Sequence, residues 1–237
     1  MRFGSLFAGI GGIDLGLERA GMECAWQVEI DDYCQKVLAK HWPNVPKFGD
    51  IKECGAHNLG QVDLIAGGFP CQDISSANTA GPRAGLAGEK SGLWREYRRI
   101  VKELRPDWVV VENSPRWKAW TPYVRKDLGG FGYVTTAIRL CSSWFGAPCR
   151  RRRCFVVANA NGDSESLLAI NEKVAGFSPV PGDVWDGRKP ASLNIRVDDG
   201  VPRKMDRLRG LGNAVMPQVA EYVGRLIMDA NPGKDGG

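Results

Sequence analysis

The chain has 237 residues, 43% of them hydrophobic and 25% charged, with a formal net charge of +5. That is enough for one large domain with a substantial buried core, alone or with a small appendage, and it excludes a disordered or fibrous polymer. A mildly basic balance suits a polyanionic partner without demanding one, and seven cysteines without a Cys-x-x-Cys pair beside only two histidines point to reduced cytoplasmic thiols and away from a zinc site.

Short apolar runs alternate with stretches of helical period along the chain, the pattern of an α/β fold with a doubly wound parallel sheet. In order, strands are expected at residues 2–7, 24–29, 62–66, 108–111, 133–140 and 154–158, and helices at 13–20, 31–41, 93–104 and 217–229. Gly4, Gly9, Gly11, Gly12 and Asp14 break the only apolar stretch near the N-terminus, so no signal peptide or membrane span is expected. Residues 72–91 are rich in Gly, Ala and Ser without an apolar period, which reads as a long functional loop. Residues 159–199 are rich in Asn, Gly, Ser, Pro and Asp, and read as a small lobe or a partly mobile insertion. The closing segment, 208–227, returns to helical period and is expected to pack back on the main domain.

Three places carry chemistry. The first turn, Phe7-Ala8-Gly9-Ile10-Gly11-Gly12, is glycine-rich, as a loop that lets a ligand approach backbone must be. It has Asp14 where a dinucleotide fingerprint wants a third glycine, and it lacks the Gly-Lys-Ser/Thr of a phosphate loop. Glu29 follows Gly9 by 20 residues, the separation at which an acid at the second strand's end meets a ribose diol. A ligand with a ribose and no phosphate fits, and S-adenosylmethionine is such a ligand. For the glycines alone, a plain tight turn explains them equally well. The second place is Gly68-Phe69-Pro70-Cys71-Gln72, which puts a cysteine where a strand gives way to a loop, a position suited to a nucleophile. The third is Glu112-Asn113, which closes the apolar run beginning at Trp108; an acid there is a candidate proton donor or a simple helix-start residue.

These segments, taken with Gly49-Asp50-Ile51, Ser75, Arg151-x-Arg153 and Gly212-Asn213-Ala214-Val215, resemble the DNA (cytosine-5)-methyltransferase family in order and spacing along most of the chain. The resemblance implies a Rossmann-like class I methyltransferase sheet in residues 1–158, a short target-recognition region in 159–206 and a returning segment in 207–237. It implies methyl transfer from S-adenosylmethionine to a flipped-out cytosine in double-stranded DNA, by a cytoplasmic, monomeric enzyme of the restriction-modification type. Cys71 would add to carbon 6 of the ring, Glu112 would bind its N3 edge, Arg153 would meet its carbonyl oxygen and Arg151 would support the catalytic loop. The cofactor set implied is Phe7, Gly9, Gly11, Gly12, Glu29, Ile30, Asp50, Ile51, Pro70, Leu93, Asn213 and Val215. For DNA it is Gln72, Ser75, Arg83 and Lys90 in the loop, with Arg188 and Arg196, flanked by Lys189 and Asn194, in the recognition region. Two departures from the family pattern stand out: Cys149 replaces a glutamine two residues before Arg151, and Ser114 follows Asn113 where valine is commoner.

The remaining six cysteines read as packing residues, and Arg150 and Arg152 as a solvated edge or nonspecific phosphate contacts. Competing readings are an RNA methyltransferase of the same chemistry, a binding module that has lost turnover, and a dinucleotide-dependent oxidoreductase. Asp14 disfavours the last. The short recognition region implies a target of about two to four base pairs, since each base-edge contact supplies only ~1–3 kcal/mol of discrimination.

Overall fold

The computed structural model describes residues 1–70, 91–147, 150–160, 164–179 and 214–231. Seven strands, β1 (Arg2–Leu6), β2 (Glu23–Val28), β3 (Lys47–Phe48), β4 (Leu64–Gly68), β5 (Trp108–Asn113), β6 (Val134–Cys141) and β7 (Arg152–Asn159), form one sheet in the order β3-β2-β1-β4-β5-β7-β6. The strands β1 to β5 are mutually parallel. The strand β7 runs antiparallel to both β5 and β6, so the expected all-parallel sheet needs correction at this end. The cause is chain length: residues 142–151 join β6 to β7, and ten residues are too few for the crossover that a parallel pair requires.

Helices cover both faces, which is why β4 and β5 are nearly continuous apolar runs. On one face α3 (Trp94–Leu104) and α4 (Thr121–Gly129) pack Tyr97, Ile100, Val101, Val124 and Leu128 against Ile65, Val109, Val111 and Val156. On the other, α1 (Gly12–Arg19), α5 (Ser164–Ala175) and α6 (Pro217–Asp229) set Leu17, Ile170, Val219 and Val223 against Phe3, Leu64, Val110 and Val157. A further helix, α2 (Asp32–His41), starts on Asp31, whose side chain accepts the N–H groups of Tyr33 and Cys34 as an N-cap acid does.

Three elements lay outside the sequence reading. The two-residue β3 is too short for any period. The helix α4 buries only Thr121, Val124 and Leu128 within a cationic stretch. Residues 164–175, expected within a polar lobe, form α5, because Leu167 and Ile170 are buried against the sheet and Thr136 Oγ1 donates to Asn171 Oδ1 at 2.7 Å.

Helices α1 and α6 cross at glycines. A β-carbon on Gly16 would lie 2.5 Å from Ala220 Cβ and from the Pro217 carbonyl, and one on Gly224 would lie 2.7 Å from Ala20 Cβ. Replacing Gly16 by Val should therefore overpack this seam and destabilise the protein by about 1–3 kcal/mol, read as a lower thermal midpoint, whereas Gly60→Ala, where a β-carbon would meet nothing within 4 Å, should leave the midpoint nearly unchanged.

Candidate active site

The strand order reverses between β1 and β4, and at such a switch point the carboxyl ends of the strands frame a crevice. The two candidate regions are built at this edge from different halves of the sheet.

At the end of β1, Phe7 has φ 55° and Gly9 φ 57°, so the chain turns sharply and the Ala8 N–H is held by the Val28 carbonyl at 3.1 Å. The Glu29 carboxylate clamps the turn: Oε2 accepts the Gly9 N–H at 2.7 Å and Oε1 accepts the Asp31 N–H at 2.8 Å. Gln35 Nε2 donates to the Glu29 carbonyl, fixing the backbone from which the carboxylate projects. Each carboxylate oxygen retains acceptor capacity.

The three loop glycines have different reasons. Space above Gly9 is open, with no atom within 4 Å of a notional β-carbon. At Gly11, φ 83° puts the residue in the left-handed region and a β-carbon would strike the Trp42 ring at 2.4 Å. At Gly12 it would lie 2.3 Å from the Val215 carbonyl oxygen. Space is thus open over Gly9, whereas packing excludes a side chain at Gly11 and Gly12. Asp14 sits behind the loop, fully buried, accepting from Ser5 Oγ at 3.0 Å and Gln27 Nε2 at 2.8 Å. Burial pushes its carboxyl up to about 6.

Around this turn, Phe7 is half-buried and its ring stacks on Tyr97 with centroids 6.5 Å apart. Ile30 is 67% exposed, an apolar side chain without cover. Asp50 caps the following turn by accepting the Lys52 N–H. The Ile51 side chain is buried in the core, and its carbonyl accepts Arg99 Nη2 at 3.1 Å. Leu93 and Pro70 are half-buried and Val215 is buried. Asn213 lies outside the described residues.

The second region gathers at the ends of β4, β5 and β7. Gly68 pairs with Glu112 across β4 and β5, and a β-carbon there would stand 2.5 Å from Glu112 Oε2; the glycine makes room for the carboxylate. Glu112 is 7% exposed. Arg153 Nε lies 2.7 Å from Glu112 Oε1, yet that oxygen has no aligned hydrogen bond among the described residues, so the contact is one of charges rather than of a directed N–H. Burial pushes the Glu112 carboxyl up to about 7, against the downward pull of Arg153 and Arg151. Arg151 is anchored by its backbone, its N–H donating to Ser142 Oγ at 2.9 Å and its carbonyl accepting the Ser142 N–H.

Beside Glu112, Asn113 Nδ2 donates to the Phe69 carbonyl at 3.0 Å while Oδ1 accepts the Ser114 N–H. This amide thereby fixes the backbone one residue before Pro70. Its role was missed in the sequence, although the Glu-Asn pair was the available signal; Gln35 and Arg99 carried no signal at all. Cys71, Gln72, Ser75, Arg83, Lys90, Arg188, Lys189, Asn194 and Arg196 all lie outside the described residues. Of the six cysteines read as packing residues, Cys24, Cys34, Cys54, Cys141 and Cys154 are buried thiols outside any disulfide; Cys149 lies outside the described residues. Among the described residues no group of three or more His, Cys, Asp or Glu could hold a metal, and no helix is long and apolar enough to cross a membrane.

Because the Glu112 carboxyl titrates higher in the folded protein than in the unfolded chain, its protonated form stabilises the fold, and that contribution is lost as pH rises from about 4.5 to about 7. Glu112→Gln removes the titrating group. Its denaturant midpoint should therefore gain on the wild type across this window, reaching a difference of roughly 1–3 kcal/mol by pH 8; parallel pH profiles for the two proteins would show that Glu112 is not the group concerned.

The description C-5 cytosine-specific DNA methylase matches residues 1–187. Over 178 residues the chain is 35% identical to the type II methyltransferase M2.BsuMI of Bacillus subtilis (strain 168), covering 71% of this chain and 44% of that one. It is 30% identical over 166 residues to the type II methyltransferase M.HhaI of Haemophilus parahaemolyticus, covering 68% and 50%. The chain thus spans about half the length of these relatives. The crystal structure of the S. pombe Dnmt2 methyltransferase superposes with a TM-score of 0.56, at 20% identity, over 68% of this chain and 51% of that one, a likeness of fold. With four-fifths of its length within the family match, and the carboxylates and glycine turn at the sheet's carboxyl edge, the chain belongs to the C-5 cytosine-specific DNA methylase family.

Proposed function

We propose that the protein methylates carbon 5 of cytosine in double-stranded DNA, using S-adenosylmethionine. The observation that carries this reading is Glu112, a buried carboxyl held near neutrality at the strand end beside the glycine turn. Open space over Gly9, the Glu29 carboxylate and the bare apolar face of Ile30 suit a ligand with a methionine backbone, a ribose diol and an adenine. Phe7, Gly9, Gly11, Gly12, Glu29, Ile30, Asp50, Ile51, Pro70, Leu93, Asn213 and Val215 would hold it. When bound, S-adenosylmethionine supplies an electrophilic methyl group.

The protein's own residues do the rest. Carbon 5 is a weak nucleophile, so the Cys71 thiolate adds at carbon 6 and pushes electron density towards N3 and carbon 5. Glu112, populated in its protonated form at neutral pH, donates to N3 and accepts from the exocyclic amine. Arg153 meets the carbonyl oxygen and keeps the Glu112 side chain in place. Carbon 5, activated in this way, is the position that would take the methyl group from bound cofactor, with the sulfonium S–CH3 bond broken and S-adenosylhomocysteine as the leaving group. Loss of its proton to water or another base restores the double bond and expels the thiolate. A base inside a duplex is out of reach for this chemistry and must be flipped out, with Gln72, Ser75, Arg83 and Lys90 on the loop that closes over it. Residues 1–158 would form the catalytic unit, with 207–237 completing it; residues 159–206, with Arg188, Lys189, Asn194 and Arg196, would read a short target.

Cys71→Ala should abolish transfer of labelled methyl to duplex DNA while S-adenosylmethionine still binds, and a duplex carrying 5-fluorocytosine at the target should trap the wild type as a covalent adduct. Turnover by the alanine variant, or no adduct under methylating conditions, would exclude the thiolate mechanism; transfer to tRNA but not to duplex would favour the RNA reading.

Glu29→Ala should weaken cofactor binding by roughly 1.5–3 kcal/mol, about ten- to hundredfold, without comparable loss of duplex affinity. Titration calorimetry with each ligand separates this from a structural role, for which both affinities would fall together.

A further inference from the structure

At the tip of the β6–β7 hairpin, next to Glu112, lies an open groove of about 500 Å³. Trp117, Trp144, Arg139, Arg150, Arg152 and Arg153 dominate its lining, and no acidic residue contributes. Its register explains the arrangement. Arg139 pairs with Cys154 and Cys141 with Arg152, so Arg139 and Arg152 are diagonal neighbours on one face of the hairpin, ~7–8 Å apart. That is comparable to the spacing of adjacent phosphates along a nucleic-acid strand. The Arg139 guanidinium lies over the Trp117 ring at 5.3 Å and Lys118 Nζ over the same ring at 5.6 Å. Trp144 is 36% exposed. Arg153, turned to Glu112 at 2.7 Å, joins the groove to the buried carboxylate.

Some surface cations elsewhere are neutralised by ion pairs. Arg98 pairs with Asp127, Arg99 with Glu96 and Glu103, and Arg225 with Glu221. Among the described residues, no carboxylate forms an ion pair with Lys118, Arg139, Arg150 or Arg152. Clustered cations repel one another, and the repulsion is relieved when a polyanion lies across them. Exposed indole faces between the cations add surface on which sugars and bases pack.

We propose that this groove holds the sugar-phosphate backbone of the target strand beside the nucleotide whose base reaches Glu112. Arg139 and Arg152 take successive phosphates, and Trp117 and Trp144 form the apolar walls. The inference rests on DNA being the substrate, and it adds a binding subsite that the methyl-transfer chemistry does not itself require.

The test is the salt dependence of binding of a labelled duplex by fluorescence anisotropy, from about 50 to 200 mM salt, where each phosphate contact contributes roughly 0.9 to the slope of log K against log salt. Arg139→Gln and Arg152→Gln should each lower the slope by about one, and the double variant by about two, with affinity at 0.1 M salt falling about ten- to hundredfold. Affinity for S-adenosylmethionine should be unchanged, which also reports that the variants are folded. Lys102→Gln, in the last turn of α3 near the start of β5, controls for bulk charge. An unchanged slope in the double variant overturns the proposal, as does an equal drop in Lys102→Gln, or a drop seen with tRNA and not with duplex. If the wild type binds and methylates duplex while the double variant matches it, the groove alone is wrong; if the wild type does not bind duplex, both readings fall.

Discussion

A carboxyl group at the end of β5, withdrawn from water, sets most of the local design. Removing a carboxylate from solvent is costly unless it is protonated or faces a cation, and Glu112 has both routes open: burial raises its titration to about 7, and Arg153 stands 2.7 Å away. Each neighbour answers to it. Gly68 has no side chain because one would collide with the carboxylate. The strand β7 runs backwards between β5 and β6, and this reversal brings the start of β7, with Arg153, to the same edge as the end of β5. A parallel strand in that place would have presented its start at the opposite edge of the sheet. The one interruption of the parallel order therefore supplies the cation that the buried acid needs.

The two acids of the site are supported in different ways. Glu29 spends its oxygens on the backbone N–H groups of Gly9 and Asp31, so it shapes the first turn while keeping lone pairs for a ligand. Glu112 has no aligned donor on Oε1 among the described residues. One acid is held ready by backbone; the other is held in a state where its proton can be shared.

Much of this was legible before any coordinates. The apolar runs located six strands because a doubly wound sheet buries its central strands on both faces, and the spacing of Gly9, Glu29 and Glu112 located the carboxyl edge because all three lie at or just past the ends of strands. Arg153 was readable only by resemblance, since its partner is set by the register of β7 and not by sequence distance. The antiparallel turn was missed because local patterning carries no strand direction. So was the tertiary reason for Gly11 and Gly12, whose neighbours Trp42 and Val215 lie 31 and 203 positions further on. The helix α5 was hidden by polar flanks.

That last glycine contact reaches beyond packing. Gly12 sits under the backbone of Val215, and α1, which starts at Gly12, is pressed against α6 through Gly16 and Gly224. During translation the turn that opens the chain leaves the ribosome early, but the segment that closes over it is made some two hundred residues later. At ~5–20 residues per second, the nascent protein passes about ten to forty seconds with its first pocket unroofed. Completion of the glycine turn is thus coupled to synthesis through Val215, and a chain released by a stalled ribosome before that residue carries the β1 turn without the backbone that packs on Gly12.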